Sequence, residues 1–462
     1  TLLFGRPCDS PSALALTMLR AMPARAALIT VLLGAAAVSA VGVDAAAGSA
    51  DGDWVPVDQR IRNFTFLHHM AFSAGDATGR KHTFAKGLIR MWTPVAMASS
   101  SKFPVALAIA GAVVDGHLTF DTLACDVFDW WTRDPTDRRS RVTLRRLLSF
   151  TSGIVVADVA GGGLPCLMGL NASRYSIEDC AQEIYVKAPF VAEPGRVWSY
   201  HSLHLQVAGA MAAKAAGLTI KELLEKYLIK PLGMKGSFWI GYPNPHLAAA
   251  MISNGNDYDK LLRSVLAYEL LPKEVIDQME KDYTAAPVKA SNFSKDAFLL
   301  EEYGHYSMCT YFECIHQNWT DKCRRNGVHA DPGAFGYWPL IDRTKGFYMQ
   351  IVTLRIVRLP HWVTKKYNIS RSTLLALPAI CTAPLRFGLQ PFVEKALGGG
   401  EAPMDSLQEE TGAIVEESSY LPRGVPPDIC EYAKAEGEGS SLEEVVATFT
   451  QSAAPEAGLL II

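Results

Sequence analysis

Apolar residues in the middle of the chain recur with the spacing of amphipathic or buried helices. The pattern predicts a helix from about Ser100 to Asp115, ended by Gly116. It predicts a second helix over "RVTLRRLLSFTSGI", capped by Ser152-Gly153, and a third over "SLHLQVAGAMAAKAAG", ending at Gly217, where a left-handed cap is expected. Much of the middle is therefore expected to be helical.

The late stretch "GAFGYWPLIDRTKGFYMQIVTLRIV" has a different pattern. Two runs rich in β-forming residues, about Phe335 to Ile341 and Phe347 to Val357, flank the polar turn Asp342 to Gly346. Such runs around a polar turn predict a β-hairpin. Residues 397–462 are instead rich in Gly, Glu and Ser, which predicts a mostly disordered acidic tail, with Cys430 as a point of attachment.

Residues 1–40 combine upstream sequence with the pattern of a secretory signal. Arg20 and Arg25 precede an uncharged run from Ala26 to Ala40 that ends in small residues. The competing interpretation is an uncleaved membrane anchor, because the apolar run continues to Val43. We therefore predict a secreted or lumenal protein, attached to a membrane only if this segment is retained.

Glycosylation and cysteine patterns favour the same compartment. Five N-x-Ser/Thr triplets occur, at Asn63, Asn171, Asn292, Asn318 and Asn368. Eight cysteines follow the signal, at positions 125, 166, 180, 309, 314, 323, 381 and 430, and an even number predicts four disulfides of unknown pairing. The alternative is that some are free buried thiols. The spacings are not those of a zinc site.

Charge limits the classes of partner. The chain of 462 residues has a formal net charge of -3, and its basic residues are scattered. A nucleic-acid-binding surface requires a clustered basic patch, so we expect no nucleic-acid partner.

A candidate nucleophile lies at the start of the first predicted helix, in "MASSSKFPVALAIAG". A serine hydroxyl needs a base within hydrogen-bond distance, and residues three apart share one helical face. Ser99 and Lys102 have that spacing, whereas Ser100 and Ser101 lie too close to the lysine in sequence. The helix N-terminus would also stabilise developing negative charge. The alternative is a capping serine beside a solvated lysine.

Four motifs follow one another in a recognisable order: S-x-x-K at Ser99, T-S-G at Thr151, P-G-x-x-x-x-Y ending at Tyr200, and P-L-G-M at Pro231. Over roughly residues 54–389 the chain resembles the penicillin-recognising serine hydrolases. The nearest branch is that of class C β-lactamases and esterases, with its eukaryotic β-lactamase-like members.

The resemblance implies an α/β (α+β) fold of the β-lactamase/transpeptidase type. Its antiparallel sheet, flanked by helices, would span residues 41–396 with an all-helical insert at about 120–300. Ser99 would be the acylated nucleophile, Lys102 its activating partner, and Tyr200 a phenol that receives the serine proton. Ser202 replaces the asparagine of the family's Y-x-N motif and keeps one hydroxyl for lysine or substrate. No metal or organic cofactor is implied.

The family's last motif is best matched by His329, which would face the acyl group of the substrate. The glycine expected two residues later is Asp331, and Pro332 has no N–H to donate. Gly333 or Ala334 would then supply the second oxyanion donor, or the oxyanion hole is incomplete. The alternative for His329 is an ordinary loop histidine.

The leading hypothesis is a secreted serine hydrolase that cleaves a small ester, amide or short peptide through an acyl-enzyme. The alternative is a catalytically degenerate, glycosylated binding protein on the same scaffold.

Overall fold

A computed structural model of the chain describes residues 52–156, 163–167, 174–290, 305–313, 327–369, 371–398 and 428–435. Its largest sheet has six antiparallel strands in the order β2-β1-β11-β10-β9-β8. Their bounds are β1 Met70–Asp76, β2 Gly79–Lys86, β8 Tyr311–Phe312, β9 Val328–Ala330, β10 Trp338–Asp342 and β11 Phe347–Val352. Ala71 of β1 is opposite Val352 of β11, so the sheet joins distant parts of the chain.

Two smaller sheets lie among the helices. The first has the strand order β3-β6-β5, and the second pairs β4 with β7 in parallel. The bounds are β3 Val95–Ala96, β4 Val197–Trp198, β5 Phe238–Trp239, β6 Met251–Ser253 and β7 Lys289–Ala290. Strand β3 enters directly into the turn that carries the candidate serine, so this small sheet helps to position the site.

The described residues form thirteen α-helical segments. They are α1 Val55–Asn63, α2 Lys102–Val114, α3 Ala124–Val127, α4 Leu144–Leu148, α5 Ile177–Lys187, α6 Leu203–Ala216, α7 Ile220–Leu224, α8 Lys230–Leu232, α9 Gly255–Leu266, α10 Lys273–Met279, α11 His361–Lys366, α12 Arg371–Ala396 and α13 Ile429–Ala435. A π turn, Glu225–Ile229, joins α7 to α8, and 3-10 turns cover Ala98–Ser101, Arg138–Arg141 and Pro165–Leu167.

Helices cover both faces of the six-stranded sheet. On one face, Phe72 and Leu340 belong to a core with residues of α1, α12 and α13. On the other face, Ala71 and Ile341 join a larger core with residues of α2, α6 and α9. The predicted antiparallel sheet with flanking helices is confirmed. The insert predicted at about 120–300 is not all-helical, because the short strands β4 to β7 lie within it. The predicted domain bounds stay a prediction.

Helix α2 is buried along almost its whole length, which explains why its sequence is apolar on every side. Gly111 lies against Tyr227, where an added Cβ would come within 2.7 Å of the tyrosine ring. The helix is followed by Gly116 with φ of 77°, and α6 is followed by Gly217 with φ of 64°. Both glycine stops confirm the sequence prediction, because only glycine adopts this conformation without a steric cost.

The second predicted helix is wrong in its extent. Helix α4 covers only Leu144–Leu148, and Phe150 has φ of 59°, which ends the helix before the T-S-G motif. The N–H of Thr151 then donates to the Arg146 carbonyl at 2.8 Å. The hairpin is confirmed, although β10 begins only at Trp338, after a turn that contains Gly336 with φ of 92°.

The cysteines pair only in part. Disulfides join Cys166 to Cys180 and Cys381 to Cys430, whereas Cys125 and Cys309 are buried free thiols. The prediction of four disulfides is therefore wrong, because neither thiol has a second sulfur within bonding distance in the described ranges, and the alternative of free buried thiols is confirmed for these two cysteines. Cys314 and Cys323 lie outside the described residues. The Cys381 link fastens α13 to α12, as expected for the attachment of the tail.

Several predictions fall on parts of the chain that the structure does not describe. The signal segment and the triplets at Asn171, Asn292 and Asn318 lie outside the described residues, as does most of the acidic tail. Asn63 and Asn368 are described, and both are exposed. Among the described helices, none combines the length and apolar character needed to cross a membrane.

Candidate active site

The candidate nucleophile lies on a sharp turn between β3 and α2. Ala98, immediately before Ser99, has φ of 47°, a left-handed conformation that a non-glycine residue adopts only when its surroundings enforce it. The surroundings here are a small core in which Ala98 packs with Ile252 and Phe335. The turn therefore fixes the direction of the Ser99 side chain before the helix begins.

The three consecutive serines make different contacts. The Ser100 hydroxyl donates to the Asp331 carbonyl at 2.5 Å, and the Ser101 hydroxyl accepts the N–H of Met251 at 3.1 Å. Only the Ser99 hydroxyl is bonded to the lysine: the Lys102 Nζ donates to Ser99 Oγ at 2.8 Å. Two serines thus hold the turn in place, and the third is left for chemistry.

Lys102 is buried, with 2% of its surface exposed, and Ser99 is 8% exposed. The Lys102 Nζ also donates to the carbonyl of Ala248 at 3.1 Å, so the amine is held between a serine and a backbone acceptor. A solvated lysine would fit none of these observations. The alternative of a capping serine beside a surface lysine is wrong, because the amine lies inside the protein and points at the hydroxyl.

Tyr200 lies beside this pair. The Lys102 Nζ lies 4.7 Å from the centroid of the Tyr200 ring, the distance of a cation–π contact. The ring is half-buried and stacks on Tyr311 with centroids 5.9 Å apart. Burial raises the pKa of Tyr311 well above its ordinary value. The structure brings Tyr200 to the amine through its ring face, and proton transfer through its hydroxyl stays a prediction.

Ser202 is 2% exposed and directly precedes α6, on the same connection as Tyr200. The intervening His201 is fully buried, with its Nε2 at 3.1 Å from the Ile154 carbonyl, and burial lowers its pKa to about 4. Its ring stacks on His204, which in turn contacts the hydroxyl of Ser152 at 2.9 Å. The T-S-G segment, residues 151–153, and the connection that carries Tyr200 and Ser202 are therefore packed against each other.

His329 lies on β9, 5% exposed. Its Nδ1 is 3.4 Å from the Thr310 hydroxyl, and its Nε2 is 3.8 Å from a carboxylate oxygen of Glu280. Burial lowers the pKa of His329, so the imidazole is neutral at neutral pH. Arg343 forms hydrogen bonds of 2.8 to 3.0 Å with the same Glu280 carboxylate. This histidine therefore brings no positive charge to the strand.

The segment after His329 is closely fitted to the nucleophile turn. An added Cβ at Gly333 would come within 2.3 Å of the Met97 carbonyl, so no larger residue fits there without movement. The N–H of Gly333 donates to the Tyr337 carbonyl at 2.8 Å, and that of Asp331 is directed at the Pro339 carbonyl at 3.4 Å. Gly333 is therefore engaged inside its own turn, which leaves Ala334 as the donor to test.

Sequence reasoning missed the contact made by Asp331. Its side chain is 1% exposed, and its Oδ2 accepts the N–H of Phe103 at 3.0 Å, in the first turn of α2. Burial raises its pKa to about 8. The signal in the sequence was an acidic residue where the motif leads us to expect glycine, but nothing local indicated a contact with a helix more than two hundred positions earlier.

Within the described part of the chain, no group of three His, Cys, Asp or Glu side chains could hold a metal ion. In this structure a buried serine is bonded to a lysine one turn later, at the start of a helix beside an antiparallel sheet. This is the arrangement expected of proteins with a Ser–Lys active site.

The family model for β-lactamases matches residues 65–302, just over half of the chain. The chain therefore belongs to the β-lactamase family, as its motifs predicted.

Two curated relatives are similar over shorter stretches. Esterase EstB of Burkholderia gladioli is 29% identical over 216 residues, which is 43% of this chain and 53% of the esterase. Monacolin J acid methylbutanoyltransferase of Aspergillus terreus is 31% identical over 100 residues, 21% of this chain and 23% of that enzyme. The matches thus span about half of the first relative and less than a quarter of the second.

Solved structures share the fold. Simvastatin synthase of Aspergillus terreus, in its LovD6 mutant form, aligns with a TM-score of 0.51 and 16% identity over 76% of this chain and 98% of that chain. EstCE1, a hydrolase with promiscuous acyltransferase activity, aligns with a TM-score of 0.52 and 15% identity over 65% and 92%. Together with the family assignment, these neighbours place the chain on the β-lactamase/transpeptidase-like fold, and the family supports a serine-hydrolase type of function.

Proposed function

We propose that this protein hydrolyses small esters through an acyl-enzyme formed on Ser99. The observation that carries the proposal is the buried hydrogen bond of 2.8 Å between Lys102 Nζ and Ser99 Oγ. A serine hydroxyl is a weak nucleophile until a base accepts its proton, and a lysine amine at this distance is positioned to accept it. The similarity to an esterase and to an acyltransferase also supports this proposal.

The steps follow from these groups. Ser99 Oγ attacks the acyl carbon while its proton passes to the amine of Lys102. The tetrahedral intermediate then expels the alcohol, which receives that proton, and an ester bond to Ser99 remains. Water then attacks the same carbon, its proton passes through Lys102 to Ser99 Oγ as the bond to Ser99 breaks, and the carboxylic acid leaves. Tyr200 would share the proton transfers beside the amine, and Ser202 would orient lysine or substrate from the start of α6.

Esters are favoured over amides by the β9 side of the site. Losing one oxyanion donor costs about a hundredfold to a thousandfold in rate in known enzymes. The N–H groups of Asp331 and Gly333 are directed at strand carbonyls, and Pro332 has none. An alcohol leaves more readily than an amine, so an ester tolerates weaker stabilisation of the intermediate.

The acyl groups preferred here would be uncharged. His329 is neutral, and the Arg343 guanidinium is already paired with Glu280. A substrate that carries a carboxylate next to the reacting carbonyl would therefore find no free positive charge at His329. We infer a preference for neutral acyl esters over β-lactams and over peptides with a free carboxyl terminus.

The test is labelling with a fluorophosphonate followed by peptide mapping. The reagent is expected to modify Ser99 and no other residue of the three-serine run, and Ser99→Ala should abolish both labelling and hydrolysis of a p-nitrophenyl ester. Ser176→Ala is the matched control, since Ser176 is a distant serine that caps α5. Folded protein that turns over the ester equally well after Ser99→Ala would contradict the proposal.

A second candidate is a binding protein with a degenerate site. The strand side of the site favours it, because two of its N–H groups are engaged with carbonyls. To separate the two candidates, hydrolysis of two p-nitrophenyl esters, the neutral acetate and the negatively charged hemisuccinate, is measured for the wild type and for Ser99→Ala. Turnover of the neutral ester that depends on Ser99 would eliminate the binding protein, whereas stable binding without turnover or labelling would support it.

We also propose that the protein works in the secretory pathway or outside the cell. Two disulfides and the exposed triplets at Asn63 and Asn368 are compatible with that environment. Expression in a host with N-glycosylation should give a product whose mass falls on treatment with a glycosidase specific for N-glycans. An unglycosylated product that is retained in the cytosol would contradict this location.

A further inference from the structure

Asp331 is a buried carboxyl group at the start of the nucleophile helix, and the chemistry described above does not use it. Its Oδ2 accepts the N–H of Phe103, the residue after Lys102, at 3.0 Å. Its Oδ1 is also buried and has no hydrogen-bond partner among the described residues. One oxygen therefore fastens the first turn of α2, and the other has no such contact.

The backbone around Asp331 is tied to the same turn. Its carbonyl accepts the Ser100 hydroxyl at 2.5 Å, and the Ser100 carbonyl accepts the Tyr258 hydroxyl at 2.9 Å. Gly333 lies against Met97 so closely that no side chain fits between them. The end of β9 therefore holds the turn that carries Ser99 through both backbone and side chain, and a movement of Asp331 would move Ser99.

The groups that face this carboxyl decide its charge. Burial raises the pKa of Asp331 to about 8, while the positive charge of Lys102 and the backbone N–H groups of Phe103 and Lys102 act in the opposite direction. The other titratable groups around it are neutral because burial raises the pKa of each: they are Tyr258 on α9, Tyr306 and Cys309 before β8, and Tyr311 on β8. Lys102 is thus the basic side chain whose charge acts on this carboxyl.

We propose that Asp331 is a positioning residue for the Ser99–Lys102 pair: it fastens the nucleophile turn through Phe103 and, when ionised, slows the reaction of Ser99. This inference rests on the proposed hydrolase function. A protonated Asp331 adds no charge to the buried site, whereas a carboxylate there opposes the oxyanion that forms on the substrate.

The experiment measures the rate of fluorophosphonate labelling from about pH 6 to about pH 10 in the wild type, Asp331→Asn and Asp331→Gly. Asparagine keeps an oxygen for the Phe103 N–H but cannot ionise, whereas glycine removes the contact. The wild-type rate should level off or fall above about pH 8, and the Asp331→Asn rate should continue to rise. Asp331→Gly should label at least about tenfold more slowly at every pH, because the turn loses its fastening.

Asp342→Asn is the matched control. Asp342 is also a buried carboxyl on the sheet, with its pKa raised by burial to about 6, but it bonds to Gln390 on the far side of the sheet. Its labelling profile should match that of the wild type. If Asp331→Asn keeps the wild-type pH profile, or Asp331→Gly labels at the wild-type rate, the inference is overturned.

Failure of the proposed function would appear differently, as absence of labelling at Ser99 in wild-type protein at every pH. The carboxyl can then still be tested through thermal stability. Because the folded state holds the Asp331 proton up to about pH 8 while the unfolded chain releases it near its ordinary value, ionisation destabilises the fold as the pH rises. The Tm of Asp331→Asn minus that of the wild type should therefore increase from about pH 4 to about pH 8. A Tm difference that stays constant over this range would contradict a buried carboxyl that is protonated in the folded state.

Discussion

The two sides of the candidate site differ in how closely they keep the family pattern. On the helix side, Ser99, Lys102 and Tyr200 match the family motifs and lie together, with the amine bonded to the hydroxyl at 2.8 Å. On the strand side, Asp331 stands where the motif leads us to expect a glycine, and two N–H groups are directed at strand carbonyls. The comparison indicates that nucleophile activation and oxyanion stabilisation can diverge separately on one scaffold, because they depend on different elements.

The largest expected effect comes from removing the amine on the helix side. Lys102→Met keeps the length of the side chain but cannot accept a proton, so ester hydrolysis should fall by about a thousandfold or more. The measurement is kcat/KM for a p-nitrophenyl ester, with circular dichroism to confirm folding. Hydrolysis within about tenfold of the wild type would mean that another group activates Ser99 and that the helix side is not the catalytic one.

The disulfide on the far face of the sheet should affect stability without affecting chemistry. The double variant Cys381→Ala and Cys430→Ala releases a closed loop of 49 residues, which by loop entropy corresponds to about 4 kcal/mol of unfolding free energy. Urea denaturation measures the loss. Labelling of Ser99 in native conditions should stay at the wild-type rate, since Cys381 and Cys430 belong to the core on the face opposite to the site. A large loss of labelling would mean that the two faces are coupled.

The smallest effect is expected at His329 on the strand side. The neutral ring contacts Thr310 and faces Glu280, so His329→Gln should lower kcat/KM for a neutral ester by less than about tenfold. His329→Lys is the informative partner variant, because a cation there should improve the relative rate for the hemisuccinate ester. If His329→Gln lowers the rate as much as Lys102→Met, the strand side takes part in catalysis and the contrast between the two sides fails.

Local patterns in the sequence predicted much of the fold and part of the site. Glycine stops at Gly116 and Gly217 and the turn at residues 342–346 were readable because a few neighbouring residues determine them. The second helix was predicted too long, since Phe150 adopts a left-handed conformation that only tertiary packing stabilises. An even number of cysteines predicts that Cys125 and Cys309 are paired, but the number carries no information about the distances between the sulfur atoms.

The site was predictable where it depends on the spacing of residues one turn apart, as for Ser99 and Lys102. The roles of Ser100 and Ser101 depend on Asp331 and Met251, which are distant in sequence. The contact between Asp331 and Phe103 was missed for the same reason. Long-range contacts of this kind follow from the three-dimensional arrangement of the sheet and α2, and a single sequence contains no direct record of it.

The pairing of β1 with β11 has a consequence for synthesis on the ribosome. Residues 70–76 leave the ribosome early, but their partners, residues 347–352, follow nearly three hundred positions later. Strand β9, which fastens the serine turn, also emerges late. A nascent chain that already exposes Ser99 would thus lack the supports of the serine turn until residues 328–352 have also emerged.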